Sequence, residues 1–206
     1  MSQRRASNIN RCPNCQINSF LCVCSDIKPF TINTLLSLIV HVRELKLTSN
    51  TAQFVEKMLP EQTCIIIRGR MNDHFESAPV LERRGLPLFL YPHEDSVELN
   101  EEFKLKHPGP YHLIVPDGNW HQARKVRQRE NNFKKVMAVK LPQGLISEYK
   151  LRKAPHPAWV STYEAVAHAL GVLEGESVRD ELMVFFRKWV ATTLDSRAGR
   201  APDSAD

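Results

Sequence analysis

The chain predicts an α/β fold, a mostly parallel sheet with flanking helices, preceded by a small cysteine-rich unit. Three observations carry this. Short apolar runs of strand length recur along the chain and are separated by segments with helical spacing. One of them, in Tyr111–Glu130 (YHLIVPDGNWHQARKVRQRE), passes through a tight turn directly into a helix. Four cysteines crowd into thirteen residues near the start. With 206 residues and 42% hydrophobic content, the chain holds enough for one cored domain and a small appendage.

Taken in order, Met1–Arg11 is polar. The cysteines follow, Cys12 and Cys15 as C-x2-C, Cys22 and Cys24 as C-x-C. Four thiolates at this spacing can close a tetrahedral zinc site, with Pro13 in the knuckle. Free or redox-active thiols are the other reading. The implied domain limits are 1–29 for the tail and knuckle, 30–194 for the main domain and 195–206 for a disordered tail. Thr34–Val42 (TLLSLIVHV) reads as a central strand with His41, Arg43 and Glu44 at its carboxyl edge. Asn50 and Gln53 form a capping pair for a helix from Thr51, which Pro60 ends. Cys64–Arg68 is a strand by its β-branched content, with Cys64 expected to be buried. A short helix falls within Asp73–Arg84, and Leu86–Tyr91 is another buried strand. Pro92 opens a loop in which His93, Glu94 and Asp95 resemble a catalytic cluster at first sight, though three adjacent polar residues after a strand are more often a turn and helix cap.

His112–Val115 is the central strand, broken by Pro116 and Gly118; Trp120, Ala123, Arg124 and Val126 then fall on helical spacing. In an open α/β sheet such a turn lies at the carboxyl edge, where ligands bind. Asp117 is thus a carboxylate at a strand tip beside a helix start, an N-cap by one reading and a reactive group by the other. Trp120 is a core side chain by one reading and a base-stacking one by the other. Lys135–Leu141 is a further strand. Gly144–Pro157 has no helical period and is rich in basic residues. Ser161 and Glu164 form an S-x-x-E capping box, with Gly171 as the expected helix stop. Ser177–Thr193 is a closing helix with an apolar stripe of Val178, Leu182, Phe185, Phe186 and Trp189, destined for the core or a subunit interface.

The charge is unevenly placed. Net charge is +5, yet Asp117–Lys153 alone holds ten lysines and arginines against three acids. A basic face beside the Asp117 turn suits a polyanion, and a solvated helix face is the alternative. No apolar run approaches the roughly 20 residues of a membrane helix, and the start has no signal-peptide core, so a cytoplasmic protein with no membrane partner is expected. No glycine-rich dinucleotide fingerprint or P-loop is present.

Three blocks in order resemble the DTW-domain family: H-x-R-E followed by S-N-T (His41–Thr51), DGNWHQARK (Asp117–Lys125), and a basic-aromatic stretch leading to S-T-x-E-A (Ser161–Ala165). Asn119 stands where that family usually has Thr. The resemblance implies a SPOUT-related fold with a C-terminal knot and similarity to tRNA-uridine aminocarboxypropyltransferases. Such enzymes move the 3-amino-3-carboxypropyl group of S-adenosylmethionine to N3 of a tRNA uridine. On that reading Asp117, as base or as anchor for the cofactor's ammonium, and Trp120 are the catalytic candidates. Tyr91, Pro92, Asp117, Gly118, Arg152, Ser161, Thr162 and Glu164 are candidates for the cofactor; His41, Arg43, Arg124, Lys125, Arg127, Lys150, Arg152 and Lys153 for tRNA. Cys12, Cys15, Cys22 and Cys24 would hold structural zinc. Glu44, Ser49, Asn50 and Thr51 would belong to the ligand-binding edge. A methyltransferase acting on RNA, or a zinc-knuckle RNA-binding protein without catalysis, would share many of these features. Nothing in the sequence fixes the oligomeric state.

Overall fold

A computed structural model describes residues 10–70, 75–118, 120–152 and 159–200. Six strands form one sheet: β1 (Leu35–His41), β2 (Thr63–Arg68), β3 (Leu86–Leu90), β4 (Val97–Glu98), β5 (Tyr111–Asp117) and β6 (Met137–Lys140). Their order is β2-β1-β5-β3-β6-β4, and every pairing is parallel. All carboxyl ends therefore lie along one edge. The helices are α1 (Ala52–Met58), α2 (Ala78–Leu81), α3 (Glu101–Lys106), α4 (Trp120–Arg129), α5 (Asn131–Lys134), α6 (Thr162–Leu173) and α7 (Glu176–Ala198). No helix among the described residues is long and apolar enough to cross a membrane.

The strands read as continuous apolar runs because the sheet is covered on both faces. Alternation then sorts the side chains. Leu36, Leu38, Val40, Leu88, Leu90, Leu113 and Val115 face one core with α1, α6 and α7. Ile39, Phe89 and Ile114 face the other, with Ala123 and Val126 of α4 and Phe133 of α5. The α7 stripe is core: Leu182, Phe185, Phe186 and Trp189 are buried, and Phe186 stacks on Tyr163 of α6 at 5.2 Å. Cys15, Ile17 and Val23 of the knuckle belong to this same core, so the knuckle packs into the main domain.

Several elements differ from expectation. Cys64 is exposed because β2 is an edge strand and this residue points out of the sheet's cover. Gly171 does not stop α6, which continues to Leu173. A β-carbon at Gly171 would meet Arg179 Cβ at 2.9 Å, so its role is to let α6 and α7 approach closely. The turn comes at Gly175, whose φ of +121° suits glycine. α7 runs to Ala198, past the start of the expected tail, and stops on Gly199 in the left-handed region. The short β4 and α3 were not legible. Only Ala78–Leu81 of the expected Asp73–Arg84 helix is helical, and residues 71–74 lie outside the described residues.

His112 is a polar group in the middle of this packing. It is fully buried on β5, with Nε2 2.8 Å from Ser37 Oγ on β1; Nδ1 has no partner among the described residues. Burial, and secondarily the Arg83 guanidinium, push its pKa down to about 4. The folded state thus binds this proton less readily than the unfolded chain. Stability is complete above the ordinary histidine range and falls as pH drops from there towards 4. The urea midpoint of the wild-type protein should fall between pH 7 and pH 4.5, and His112→Gln should flatten that dependence; an unchanged slope in the variant would exclude His112 as its source.

Candidate functional site

Asp117 ends β5, the strand flanked by β1 and β3, at the carboxyl edge. Gly118 follows with φ +145°, and a β-carbon there would lie 2.8 Å from Gln122 Oε1, so glycine is required for the turn. By strand alternation Asp117 faces the same side as Leu113 and Val115, towards α6. There the Thr162 hydroxyl donates to Asp117 Oδ1. Asp117 is 7% exposed, and its Oδ2 has no partner among the described residues. Burial pushes the carboxyl up to about 6; the Thr162 and Gly118 donors oppose the rise, the Glu44 charge adds to it and Arg152 offsets it.

A cavity of about 540 Å³ opens beside this carboxyl, within the roughly 300–1,000 Å³ of small-molecule sites. Gly118 and Thr162, the two groups that bond Asp117, both line it. Leu90, Tyr91 and Pro92 from the end of β3 form one wall, and Lys140–Leu145 after β6 another. Trp159, Val160 and Ala165 close it from the α6 side. Ser96 sets the Tyr91–Pro92 turn by donating to Tyr91 O at 2.8 Å and accepting from His93 N at 2.9 Å. The lining is mainly apolar, with Lys140, Gln143 and Thr162 as its polar side chains, the composition of a site for an organic ligand.

The edge of β1 meets the segment before α6 beside this carboxyl. Glu44, buried, pairs with Arg152 at 3.0 Å, and Arg152 Nε donates to Ser49 Oγ at 2.9 Å. Tyr149 donates to Ser49 O at 2.6 Å, and Tyr163 N donates to Thr51 Oγ1 at 3.2 Å. Gln53 donates twice to Asn50, from N to Oδ1 at 3.3 Å and from Nε2 to O at 3.1 Å, but the N-cap of α1 is Thr51, without a side-chain cap bond, so the pair sits one residue ahead of the cap. The three sequence blocks thus converge around Asp117.

The other site candidates divide. Ser161 caps α6 and with Glu164 completes the capping box. Glu164 does not line the cavity. It is fully buried and accepts from Ser161 N (2.7 Å), Glu148 N (2.6 Å) and Ser147 Oγ, which leaves it a structural carboxylate. Arg127 is not a free cation: both its Nη atoms donate to Asp95, at 3.1 and 3.0 Å, and its side chain is 13% exposed. Asp95 also bonds His93 at 2.6 Å, so this loop cluster is a charged turn that takes no part in lining the large cavity. Arg43, Arg124 and Lys150 are exposed, Lys125 partly so. His41 is half-buried and accepts from Arg43 N at 3.2 Å; burial, then Arg68 and Arg43, lower its pKa. The side chain of Trp120, and Asn119 and Lys153 entirely, fall outside the described residues. The Leu141–Leu145 wall and Trp159 were missed by sequence reasoning, although Pro142 and Gly144 directly after a strand were a signal for an edge loop.

At the knuckle, the Sγ atoms of Cys12, Cys15, Cys22 and Cys24 all lie within 4.8 Å of one another, with separations of 3.5, 3.6 and 3.8 Å. Bonds of about 2.3 Å to a tetrahedral ion place sulfurs about 3.8 Å apart, so the set could hold a metal. Donation from the Cys15 and Asn14 backbone amides draws the Cys12 thiol down to about 6, favouring the thiolate a metal requires.

A model of the DTW domain family matches residues 9–194. The chain is 31% identical over 171 residues to "tRNA-uridine aminocarboxypropyltransferase 2" of Drosophila melanogaster, covering 80% of this chain and 67% of that protein. It is 30% identical over 179 residues to the protein of the same name from Macaca fascicularis, covering 84% of this chain and 59% of that one. Among solved structures it resembles the SAM-dependent rRNA:acp-transferase Tsr3 from Vulcanisaeta distributa, with a TM-score of 0.47 and 19% identity over 81% of this chain and 85% of that one.

The Asp117 environment makes a prediction independent of any ligand. Thr162→Val removes the donor that lowers the carboxyl pKa, so Asp117 should titrate at higher pH; Glu44→Gln removes the charge that raises it, so it should titrate lower. Carbon-13 NMR of the labelled carboxyl reads both shifts, and movement of either in the opposite direction would refute the assigned causes.

Proposed function

The chain belongs to the DTW domain family, and from that membership we propose that it is a tRNA-modifying transferase. It moves the 3-amino-3-carboxypropyl group of S-adenosylmethionine to N3 of a tRNA uridine and releases methylthioadenosine. The observation that carries this reading is Asp117: a buried carboxylate that does not itself line the ligand-sized cavity but is bonded to Thr162 and adjoins Gly118, which do, with one oxygen unbonded among the described residues and its pKa raised to about 6. The curated relatives carry the matching name, and this chain spans 67% and 59% of the length of the first two.

The cavity fits the donor by its size and its apolar lining, with the unpartnered oxygen of Asp117 next to two lining residues, Gly118 and Thr162. Leu90, Tyr91, Pro92, Leu141, Leu145 and Trp159 supply surface for a nucleoside. When bound, the donor supplies a sulfonium leaving group, so the bond from sulfur to the propyl methylene breaks as the bond from N3 forms. Uridine N3 is a poor nucleophile while it holds its proton. Asp117 Oδ2 accepts that proton, a general-base role that a pKa near 6 suits at neutral pH. The Thr162 hydroxyl fixes the other oxygen and sets the direction of the free one. Choice of the methylene over the methyl is a matter of how the amino-acid arm is held, hence of orientation. Arg152, bonded to Glu44 and Ser49 near Asp117 but not itself lining the cavity, is assigned to the donor's carboxylate. Trp120 is assigned to the acceptor base. Arg43, Arg124 and Lys150 face solvent and serve the tRNA backbone. The SPOUT relationship and its knot belong to the same proposal.

The knuckle holds zinc in a structural role: four thiolates close the coordination sphere and leave no position for substrate. Because Cys15 and Val23 lie in the main core, chelation of the purified protein should lower its melting temperature by several degrees and release one zinc per chain. Metal analysis finding no zinc in a fully stable protein would overturn this.

Incubation with S-adenosylmethionine and unmodified tRNA, followed by nucleoside mass spectrometry, should show aminocarboxypropyluridine with equimolar methylthioadenosine. S-adenosylhomocysteine as product would identify a methyltransferase instead, and tRNA binding without saturable donor affinity a binding protein. The rate should rise with pH through about 6 and level off above it, since only the ionised carboxylate accepts the proton. Asp117→Asn should abolish transfer and, because the raised pKa means that ionising this group costs stability, should make the fold more stable at pH 8 by on the order of 1–3 kcal/mol. Transfer by Asp117→Asn at near the wild-type rate would reject the base.

A further inference from the structure

Behind Tyr91 lies a second, smaller cavity of about 190 Å³, between the loop after β3 and helices α4 and α5. Tyr91, His93, Arg124, Arg127, Gln128 and Lys134 line it. Tyr91 also lines the large cavity, so one side chain separates the two. The small cavity holds three permanent cations, and the carboxylate bonded among them is Asp95, which is engaged by Arg127 and His93. That carboxylate clamps Arg127 in place through both Nη atoms, while Arg127 Nε is buried with no partner among the described residues. Arg124 is exposed at the rim, close enough to Tyr91 for its charge to act on the phenol. Lys134 is exposed and steadied by Asn131 Oδ1 at 2.9 Å. The Arg127 guanidinium held by Asp95, the two exposed cations Arg124 and Lys134 and the Gln128 amide line one small cleft, which makes it a concave, positively charged seat. Such a seat suits a tetrahedral oxyanion.

We propose that this cleft binds a phosphodiester of the acceptor RNA, anchoring the backbone one side chain away from the donor cavity. The proposal rests on the transferase reading above and deepens it: the exposed arginines and lysines provide diffuse attraction, and this cleft provides register. A backbone phosphate held here fixes the distance from the strand to Asp117, so it selects which nucleotide reaches the carboxylate. Asp95 becomes a positioning residue that acts through Arg127. Its two bonds orient the guanidinium before RNA arrives, which reduces the entropy lost on binding.

The test uses the full chain and an unmodified tRNA transcript. Arg124→Glu combined with Lys134→Glu removes both rim cations on exposed positions and leaves the Arg127–Asp95 pair intact. The double variant should bind tRNA about tenfold more weakly, and its log Kd should vary with log salt with a slope smaller by roughly 0.7–0.9 for each phosphate that is no longer neutralised. Its affinity for S-adenosylmethionine should stay at the wild-type value. Arg124→Lys with Lys134→Arg should restore the slope. Wild-type tRNA affinity and salt slope in the charge-reversed variant would overturn the proposal, as would the same weakening from charge reversal at the half-buried Lys104 and the exposed Lys106 on α3. The transferase reading fails separately: a wild-type protein that binds tRNA with this slope but neither binds the donor nor transfers from it would refute the enzyme and leave the phosphate seat standing.

Discussion

One hydrogen bond, from the Thr162 hydroxyl to the Asp117 carboxylate, joins the central strand to the helix that crosses its end. The site depends on it. It fixes one carboxylate oxygen and leaves the other without a partner among the described residues, and it brings the cavity lining from β3, β5 and β6 against the amino end of α6. The parallel sheet makes the bond possible: all strands end on the same side, so residues 41, 91, 117 and 140, distant in the chain, share one edge. Burial and the nearby Glu44 charge work against ionisation of Asp117, while Thr162, Gly118 and Arg152 work for it. The balance falls close to neutrality, where a carboxylate can both exist ionised and hold a proton.

Much of this was legible in the chain. The strands of the core were, because a sheet covered on both faces demands unbroken apolar runs such as TLLSLIVHV and LPLFLY. The Asp117 turn was, because Pro116 and Gly118 punctuate it sharply. The S-x-x-E box at Ser161 was, because capping is local chemistry. What stayed hidden was set by distant partners. Whether Gly171 ends a helix or admits a neighbour depends on α7. Cys64 sits in a strand that looks buried, and only the strand order reveals it as an edge. Arg127 reads as one more basic residue on α4 until the fold brings Asp95, 32 positions earlier, against it. Glu164 passes for a ligand residue in a motif, yet its acceptor capacity is taken by the backbone and by Ser147.

The electrostatics also separate two kinds of charge. Glu164 is buried and Arg127 half-buried, and both are held by hydrogen bonds within the fold. Arg43, Arg124 and Lys150 are exposed and contribute little to stability, since surface ion pairs are weak in water. A surplus of free cations beside a cavity is of little use to a fold that must only stay folded, and of clear use to one that meets a polyanion.

Glu164 has a consequence for traffic through the site. A single carboxylate gathers donors from Ser147, Glu148 and the first turn of α6. Lifting that loop off the helix would strand a bare charge in the interior, a prohibitive penalty at ordinary temperature. Loop and helix must therefore travel as a unit or not at all. The wall from Pro142 to Leu145 has no such weld among the described residues, so any widening of the cavity would cost least there and most at the loop over α6.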